Sequence, residues 1–347
     1  MSDFAISPRS QGRAFLARLG PYVVAVIASF AAAGIFIGAM GFDVLTAYET
    51  ILFTSFRSTN GFIQTLLKFV PLLLQALAFT VPLAAGKFNI GGEGQLIVGA
   101  IGTTAVGIML ADLPAPILLP MAIGAGILFG AFWAAIPAWL LYRFGINEIL
   151  TTVLMNFVSF SFIDYVATEI WRDPAAGHPT TVAIGAGARL PLLIQSPRLH
   201  VGIIIVLVVA VAVYIFTERM ALGYEMAATG ANPRAARVYG IPVRRMFALS
   251  LILGGMLAGL SGAIEVTGQY YRLIEGLQSN FLLLGLIIGL IAKGNHVAVP
   301  FVAFFIAILE VGASAMQRTL MIPGEMVFIV EALILLFILL SDVVRRR

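Results

Sequence analysis

An all-α fold, a polytopic membrane bundle of about ten transmembrane helices, is what the sequence predicts. Three observations carry that prediction. Of the 347 residues 60% are hydrophobic and only 11% charged, against about a quarter charged in a soluble domain. The apolar residues are gathered into runs free of Asp, Glu, Lys and Arg, each near the roughly 20 residues that a bilayer-crossing helix needs. Between two such runs lies a polar stretch, Ala228 to Pro242, punctuated like a short capped helix.

The runs, in order, are Leu19 to Phe42, Phe69 to Gly86, Gly94 to Ala111, Leu113 to Tyr142, Leu199 to Thr217, Met246 to Ile264 and Gly276 to Ala292. Weaker spans are Ile149 to Trp171, which carries Asp164, Gly294 to Val311, which carries Glu310, and Met326 to Ser341, which carries Glu331. Pro71, Pro82 and the glycines near Gly91 are places where a helix can break inside the membrane. Arg9, Arg13 and Arg18 followed by Ala31-Ala32-Ala33 resemble a secretory signal, but the apolar run continues to Met40, so the first helix is expected to be retained. Gly126/Gly130, Gly255/Gly259, Gly34/Gly38 and Gly285/Gly289 are small-xxx-small pairs, expected to pack helices within one bundle.

An even number of spans puts both termini on one side. That side then holds Lys87, Arg143, Arg219, Arg234, Arg237, Arg244, Arg245, Lys293 and the basic tails, which is most of the 21 Lys and Arg. The positive-inside rule makes it the cytoplasm. The resulting organisation is a cytoplasmic tail (1–18), a single transmembrane domain (19–341) and a second cytoplasmic tail (342–347). A cytoplasmic loop covers 218–245, and an ordered external loop, rich in proline, covers 172–198.

Within the cytoplasmic loop each residue has a structural reason. Asn232 suits an N-cap and Pro233 the first helical position, where a missing N–H costs nothing. Gly240 suits the left-handed residue that ends a helix, and Pro242 stops its resumption. A rigid helix built outside the lipid is a contact surface.

Several chemistries are excluded. The three Lys precede Phe69, Phe88 and Gly294, so no phosphate-binding loop ending in Lys-Ser or Lys-Thr exists. His178, His200 and His296 are scattered without an HExxH pattern, and no Cys is present to ligate a metal. No basic patch is interleaved with aromatics, which argues against nucleic acid as a partner. The chain reads as a conduit with no catalytic residue and no cofactor of its own.

The remaining polar constellations have two readings each. Gly86-Lys87-Phe88-Asn89-Ile90-Gly91-Gly92-Glu93-Gly94-Gln95 is either a broken helix buried in protein beside a solute route or a solvated cytoplasmic turn. Downstream, Asn147 suits an N-cap and Glu148 the positive end of the helix that follows. Thr152, Asn156 and Ser159 share one face of that helix, and either line a path or bond helices together. Glu265 to Asn280 is a docking surface or an interfacial belt. Asp164, Glu310 and Glu331 are acids that an ion-coupled transporter would use.

Together these motifs resemble permease subunits of bacterial ABC importers, the group that handles branched-chain amino acids, ribose and other simple sugars, and nucleosides. The resemblance runs from about Thr65 to Ser341. It rests on Phe88-Asn89-Ile90-Gly91-Gly92-Glu93-Gly94-Gln95, on Asn147-Glu148-Ile149 with Thr151-Thr152 and Met155-Asn156, and on Gly223 to Pro242. The form Asn89-Ile90-Gly91-Gly92-Glu93 is closest to the nucleoside branch, with a ribose-type sugar permease as the alternative. The resemblance implies a bacterial inner (plasma) membrane location and two permease subunits, alike or homologous. It also implies a cytoplasmic ATPase that supplies ATP and Mg chemistry and an external solute-binding lipoprotein. Carried onto this chain, Gly230, Asn232, Pro233, Arg234, Ala235, Ala236, Arg237, Tyr239 and Gly240 become the expected coupling element, with Ala235, Ala236, Val238 and Tyr239 filling a groove on the ATPase. Asn89, Glu93, Gln95, Asn147, Glu148, Thr152 and Asn156 become the expected substrate pathway.

Overall fold

The computed structural model describes residues 27–321, together with Val24 and a few positions between 328 and 340. The basic tails, Glu331 and most of the span from Met326 to Ser341 lie outside the described residues.

The chain is helical almost throughout. In order come α1 (Ile27–Ala39), α2 (Val44–Arg57), α3 (Thr59–Ala84), α4 (Gly92–Met109), α5 (Ala115–Phe144) and α6 (Glu148–Tyr165). These are followed by α7 (Gly202–Arg219), α8 (Ala221–Ala231), α9 (Pro233–Val238), α10 (Val243–Ile264), α11 (Phe281–Ile291) and α12 (Ala298–Leu320). Short π-helical segments, Val166–Ile170 and Glu265–Tyr270, lengthen α6 and α10. Among the described residues a small antiparallel pair, β1 (Leu192–Ile194) with β2 (Leu199–His200), lies in and just after the segment read as the external loop.

Among the described residues six helices are long and apolar enough to cross a membrane: α3, α5, α6 and α10 with their π extensions, α7 and α12. The expected spans near α4 and α11 differ from these for physical reasons. α4 opens on Glu93 and Gln95, and α11 has only 11 residues, about 16 Å and half a hydrocarbon core. Two helices escaped the sequence reading. One is α2, which bears Glu49 and Arg57, paired with each other; the other is α8, inside the segment taken for a loop.

The described residues form two compact units. In the unit made of residues up to 57 and from 308 onward, Gly34 lies under Tyr48, whose hydroxyl donates to the Phe30 carbonyl. Gly312 lies on the backbone of Ile51, where a Cβ would stand 2.1 Å from the carbonyl oxygen.

In the unit of residues 58–307, α10 packs against α3, α4 and α5. The small-xxx-small pairs explain how close it comes. A Cβ on Gly259 would stand 2.3 Å from the Gly126 carbonyl oxygen, and one on Gly130 would stand 2.4 Å from that of Gly255. These pairs therefore serve packing inside the chain, as their spacing predicts. α3 is 78% buried over its most apolar window, whereas α5, α6 and α7 present bare apolar side chains such as Leu128, Phe132, Phe157 and Val208 outward, as lipid requires.

The β1–β2 hairpin places His200, 3% exposed, between Gly202 and Gly268. Its Nδ1 accepts the Gly202 N–H at 3.1 Å, and burial pushes its pKa from 6.5 down to about 4. Because the unfolded chain takes up the proton first, this group stabilises the fold above pH 6.5 and loses that contribution as pH falls towards 4, to a limit of about 3 kcal/mol. Melting of the purified protein between pH 7 and pH 4.5 is expected to show a drop that His200→Gln, which keeps an acceptor for Gly202, makes shallower.

Candidate functional site

Two glycine-bearing segments meet at one end of the 58–307 unit. The first is the segment from α8 to α10. Asn232 has extended backbone (φ −155°), and its Oδ1 accepts from the N–H groups of Arg234 and Ala235, both at 3.1 Å. Pro233 follows at the first helical position. At the other end Gly240 takes φ +83°, and the Ile241 N–H reaches back to the Ala236 carbonyl at 3.0 Å. The caps thus fall where the residue types place them. Arg234 and Arg237 are exposed, and Val238 and Tyr239 are each 85% exposed. Ala235 is half-buried, and Ala236 is 3% exposed and turned to the body of the chain, so it anchors α9 and does not offer a contact to a partner. Beside α9 a cavity of about 460 Å³ is lined by Arg237, Arg244, Arg245 and Tyr142, among others.

The second segment is the break between α3 and α4, residues 85–91. α3 continues past Pro71 and Pro82, both inside the helix. Pro82 has no N–H to give to the Ala78 carbonyl four residues earlier; the Asn89 side-chain amide takes its place at 3.4 Å. Asn89 and Gln95 then bond reciprocally through their amides at 2.8 and 2.9 Å. Asn89 Oδ1 also accepts the Gly91 N–H at 3.1 Å.

The polar stripe of α6 supplies the rest. Asn156 accepts the Gly94 N–H at 2.9 Å and donates to the Ile90 carbonyl at 2.7 Å. Thr152 accepts the Ile90 N–H at 3.3 Å and donates to the Glu148 carbonyl at 2.6 Å. Glu148 pairs with Lys87 at 3.2 Å, and the Lys87 ammonium also sits 4.4 Å from the centre of the Phe247 ring. Asn89, Gln95, Glu148, Thr152 and Asn156 are all buried. The structure therefore brings these expected pathway residues together, and Asn89, Thr152 and Asn156 satisfy the backbone of a broken helix. Asn147 is apart from them: it is exposed and caps α6, accepting from Ile149 and Leu150. Glu93 is apart too; its carboxylate lies near the Leu282 backbone at the start of α11.

The two segments touch directly. Gly230 in α8 lies on the end of α3, where a Cβ would stand 2.2 Å from the Ala84 carbonyl oxygen and 2.9 Å from the Gly86 nitrogen. Gly86, at φ +72°, faces Gly230 in turn. Around this contact Ala85, Met226 and Met246 form a small core with Phe216, Ile241 and Phe247 against it. Glycine at both positions lets backbone meet backbone, so the Asn232–Gly240 helix is fastened through α8 to the break between α3 and α4.

Sequence reasoning missed this meeting point because Gly86 and Gly230 are far apart in the chain. It also missed Gln75, an amide inside the apolar run from Val70 to Ala78 and 1% exposed; a lone amide in a span is itself the signal. Glu265, expected in an interfacial region, is buried in the π segment after α10. Asp164 is exposed on α6.

Comparison with known proteins gives the family. Residues 61–339 match the family described as branched-chain amino acid transport system / permease component. The glucose ABC transporter permease protein of Haloferax volcanii is 32% identical over 99% of this chain and 93% of its own length. The guanosine ABC transporter permease protein of Bacillus subtilis is 31% identical over 93% of both chains. The nucleoside ABC transporter permease protein of Lactococcus lactis subsp. cremoris is 28% identical over 93% of this chain and 91% of its own. No solved structure matches. A multi-pass helical chain matched over most of its length by that family, and with these relatives, belongs to the permease family of branched-chain amino acid transport systems.

Proposed function

We propose that this permease moves nucleosides inward across the plasma membrane, driven by a separate cytoplasmic ATPase that grips α9. It works beside a second permease subunit and receives solute from an external binding lipoprotein. The observation that carries the coupling role is the backbone contact of Gly230 with Ala84 and Gly86. Through it an exposed, doubly capped helix is joined to the break between the core helices α3 and α4. The cytoplasmic placing is supported by charge: Lys87, Arg237, Arg244 and Arg245 all lie around this end of the unit. The nucleoside reading is supported by the relatives named for nucleosides and guanosine. A simple-sugar reading is favoured by the relative named for glucose.

Reconstitution with the ATPase and binding protein separates these readings. Uptake of labelled uridine or guanosine above that of glucose and ribose supports the first, and the reverse supports the second. Collapse of uptake by a protonophore at constant ATP would remove the ATPase altogether. Arg237→Glu reverses the charge of an exposed α9 side chain beside a basic cavity. It is expected to cut solute moved per ATP by about tenfold, the loss of one charge-assisted contact, with normal abundance in the membrane. Wild-type transport by that variant would count against α9 as the coupling element.

A further inference from the structure

Two helices of the 58–307 unit begin away from its ends, and they begin beside each other. Gln75 lies about 24 Å along α3, itself about 39 Å long. At its level stand Gly92, the first residue of α4, and Leu282, in the first turn of α11. A Cβ on Gly92 would meet Gln75 Oε1 at 2.5 Å and Leu282 Cδ1 at 3.1 Å. Neither start has a side-chain cap from its own N-cap residue, Gly91 or Asn280. The carboxylate of Glu93 lies near the Leu282 backbone. Further along, Gly285 packs on Gln75 and Gly289 on Phe79, so α11 descends along α3 towards Leu83.

Gln75 is the anomaly in this junction. Its side-chain nitrogen reaches the Gly92 carbonyl at 3.4 Å, which fixes the orientation of the amide. Its Oε1 is buried with no hydrogen-bond partner. The Gln278 Oε1, in the turn that leads into α11, is likewise buried and unpartnered. A buried acceptor left unsatisfied is costly, and a methionine would fill the same space without that cost. An amide that carries this penalty between two helix starts is explained by a ligand that supplies the missing donor.

We propose that the junction of α3, α4 and α11 at Gln75 is a solute-binding station of the translocation route, resting on the reading of the chain as a permease. Its chemistry is that of an acceptor: the free Gln75 amide oxygen, against Gly92 and next to Glu93 in the first turn of α4. The ligand it fits is rich in O–H and N–H donors, such as the pentose and base of a nucleoside or a hexose. Gln75 is 1% exposed, so solute reaches it when α11 moves from α3.

The test is Gln75→Met in the complete transporter, reconstituted with its ATPase and binding protein. Initial uptake of labelled uridine, glucose and leucine is measured together with the melting temperature of the purified complex. Uptake of the solute that the wild type moves is expected to fall about tenfold, with binding-protein-stimulated ATPase retained and melting temperature unchanged or raised. That opposition between activity and stability is what a packing role cannot produce. Unchanged uptake overturns the proposal, and so does a fall in uptake matched by a fall in melting temperature. If the wild type moves glucose and not uridine, and Gln75→Met still lowers glucose uptake, the station stands and the nucleoside assignment fails. If the wild type moves leucine, the nucleoside assignment fails, and unchanged leucine uptake by Gln75→Met overturns the station.

Discussion

Replacing Gly230 by alanine is expected to uncouple the transporter: solute moved per ATP hydrolysed falls by about tenfold, the consequence of misplacing a working contact by an ångström or so, while the chain still reaches the membrane. The added methyl meets only backbone. It would stand 2.2 Å from the Ala84 carbonyl oxygen and 2.9 Å from both the Ala85 carbonyl carbon and the Gly86 nitrogen. No flexible side chain can swing aside, so α8 must lift from the end of α3, at a cost of about 1–3 kcal/mol for such overpacking. A stroke delivered to α9 would then reach the α3–α4 break through a loosened joint. Gly240→Ala is the comparison that isolates this effect. Its Cβ meets nothing within 4 Å, and only its φ of +83° is strained, which costs about 1–2 kcal/mol at the end of α9. Uptake and ATPase measured in parallel for both variants decide the matter. If Gly230→Ala transports as efficiently as Gly240→Ala, the close contact is not the joint.

The contrast shows which parts of this molecule a sequence displays. The α9 caps were legible because each obeys a local rule: Asn232, Pro233 and Gly240 are chosen by the backbone within a few residues of themselves. The apolar runs were legible for the same reason. The break after α3 was legible as a break, because Gly91, Gly92 and Gly94 with Asn89 cannot continue a lipid-facing helix. What its polar residues do was not legible. Asn89 compensates for Pro82, and Asn156 holds Ile90 and Gly94, and each of these joins positions whose nearness only the fold creates. The length of α11 was hidden as well. The run from Gly276 to Ala292 has the hydropathy of a full span, yet its first residues are used in a turn, with Ser279 and Asn280 at positive φ.

The ion pair between Lys87 and Glu148 should give the largest single-residue effect on stability. The side chains are 18% and 9% exposed and 3.2 Å apart, and they tie the α3–α4 break to the first turn of α6. Removing one partner of a buried pair leaves the other charge desolvated and uncompensated, a loss of about 3–5 kcal/mol. Lys87→Met strands the more buried group, Glu148, and is expected at the upper end. Glu148→Gln leaves a lysine that keeps the Phe247 ring at 4.4 Å, so a loss nearer the lower end is expected. The double variant removes both charges together. It should recover most of the lost stability, because a neutral pair of similar size costs little where the ions had to be desolvated first. Equilibrium unfolding of the four proteins in one detergent closes the cycle, and a coupling energy near zero would show that the pair is solvated in place. Transport adds a second reading. If the pair matters only by holding the break against α6, the double variant should regain uptake along with stability. If uptake stays low in a stable double variant, one of these charges acts in the transport cycle itself.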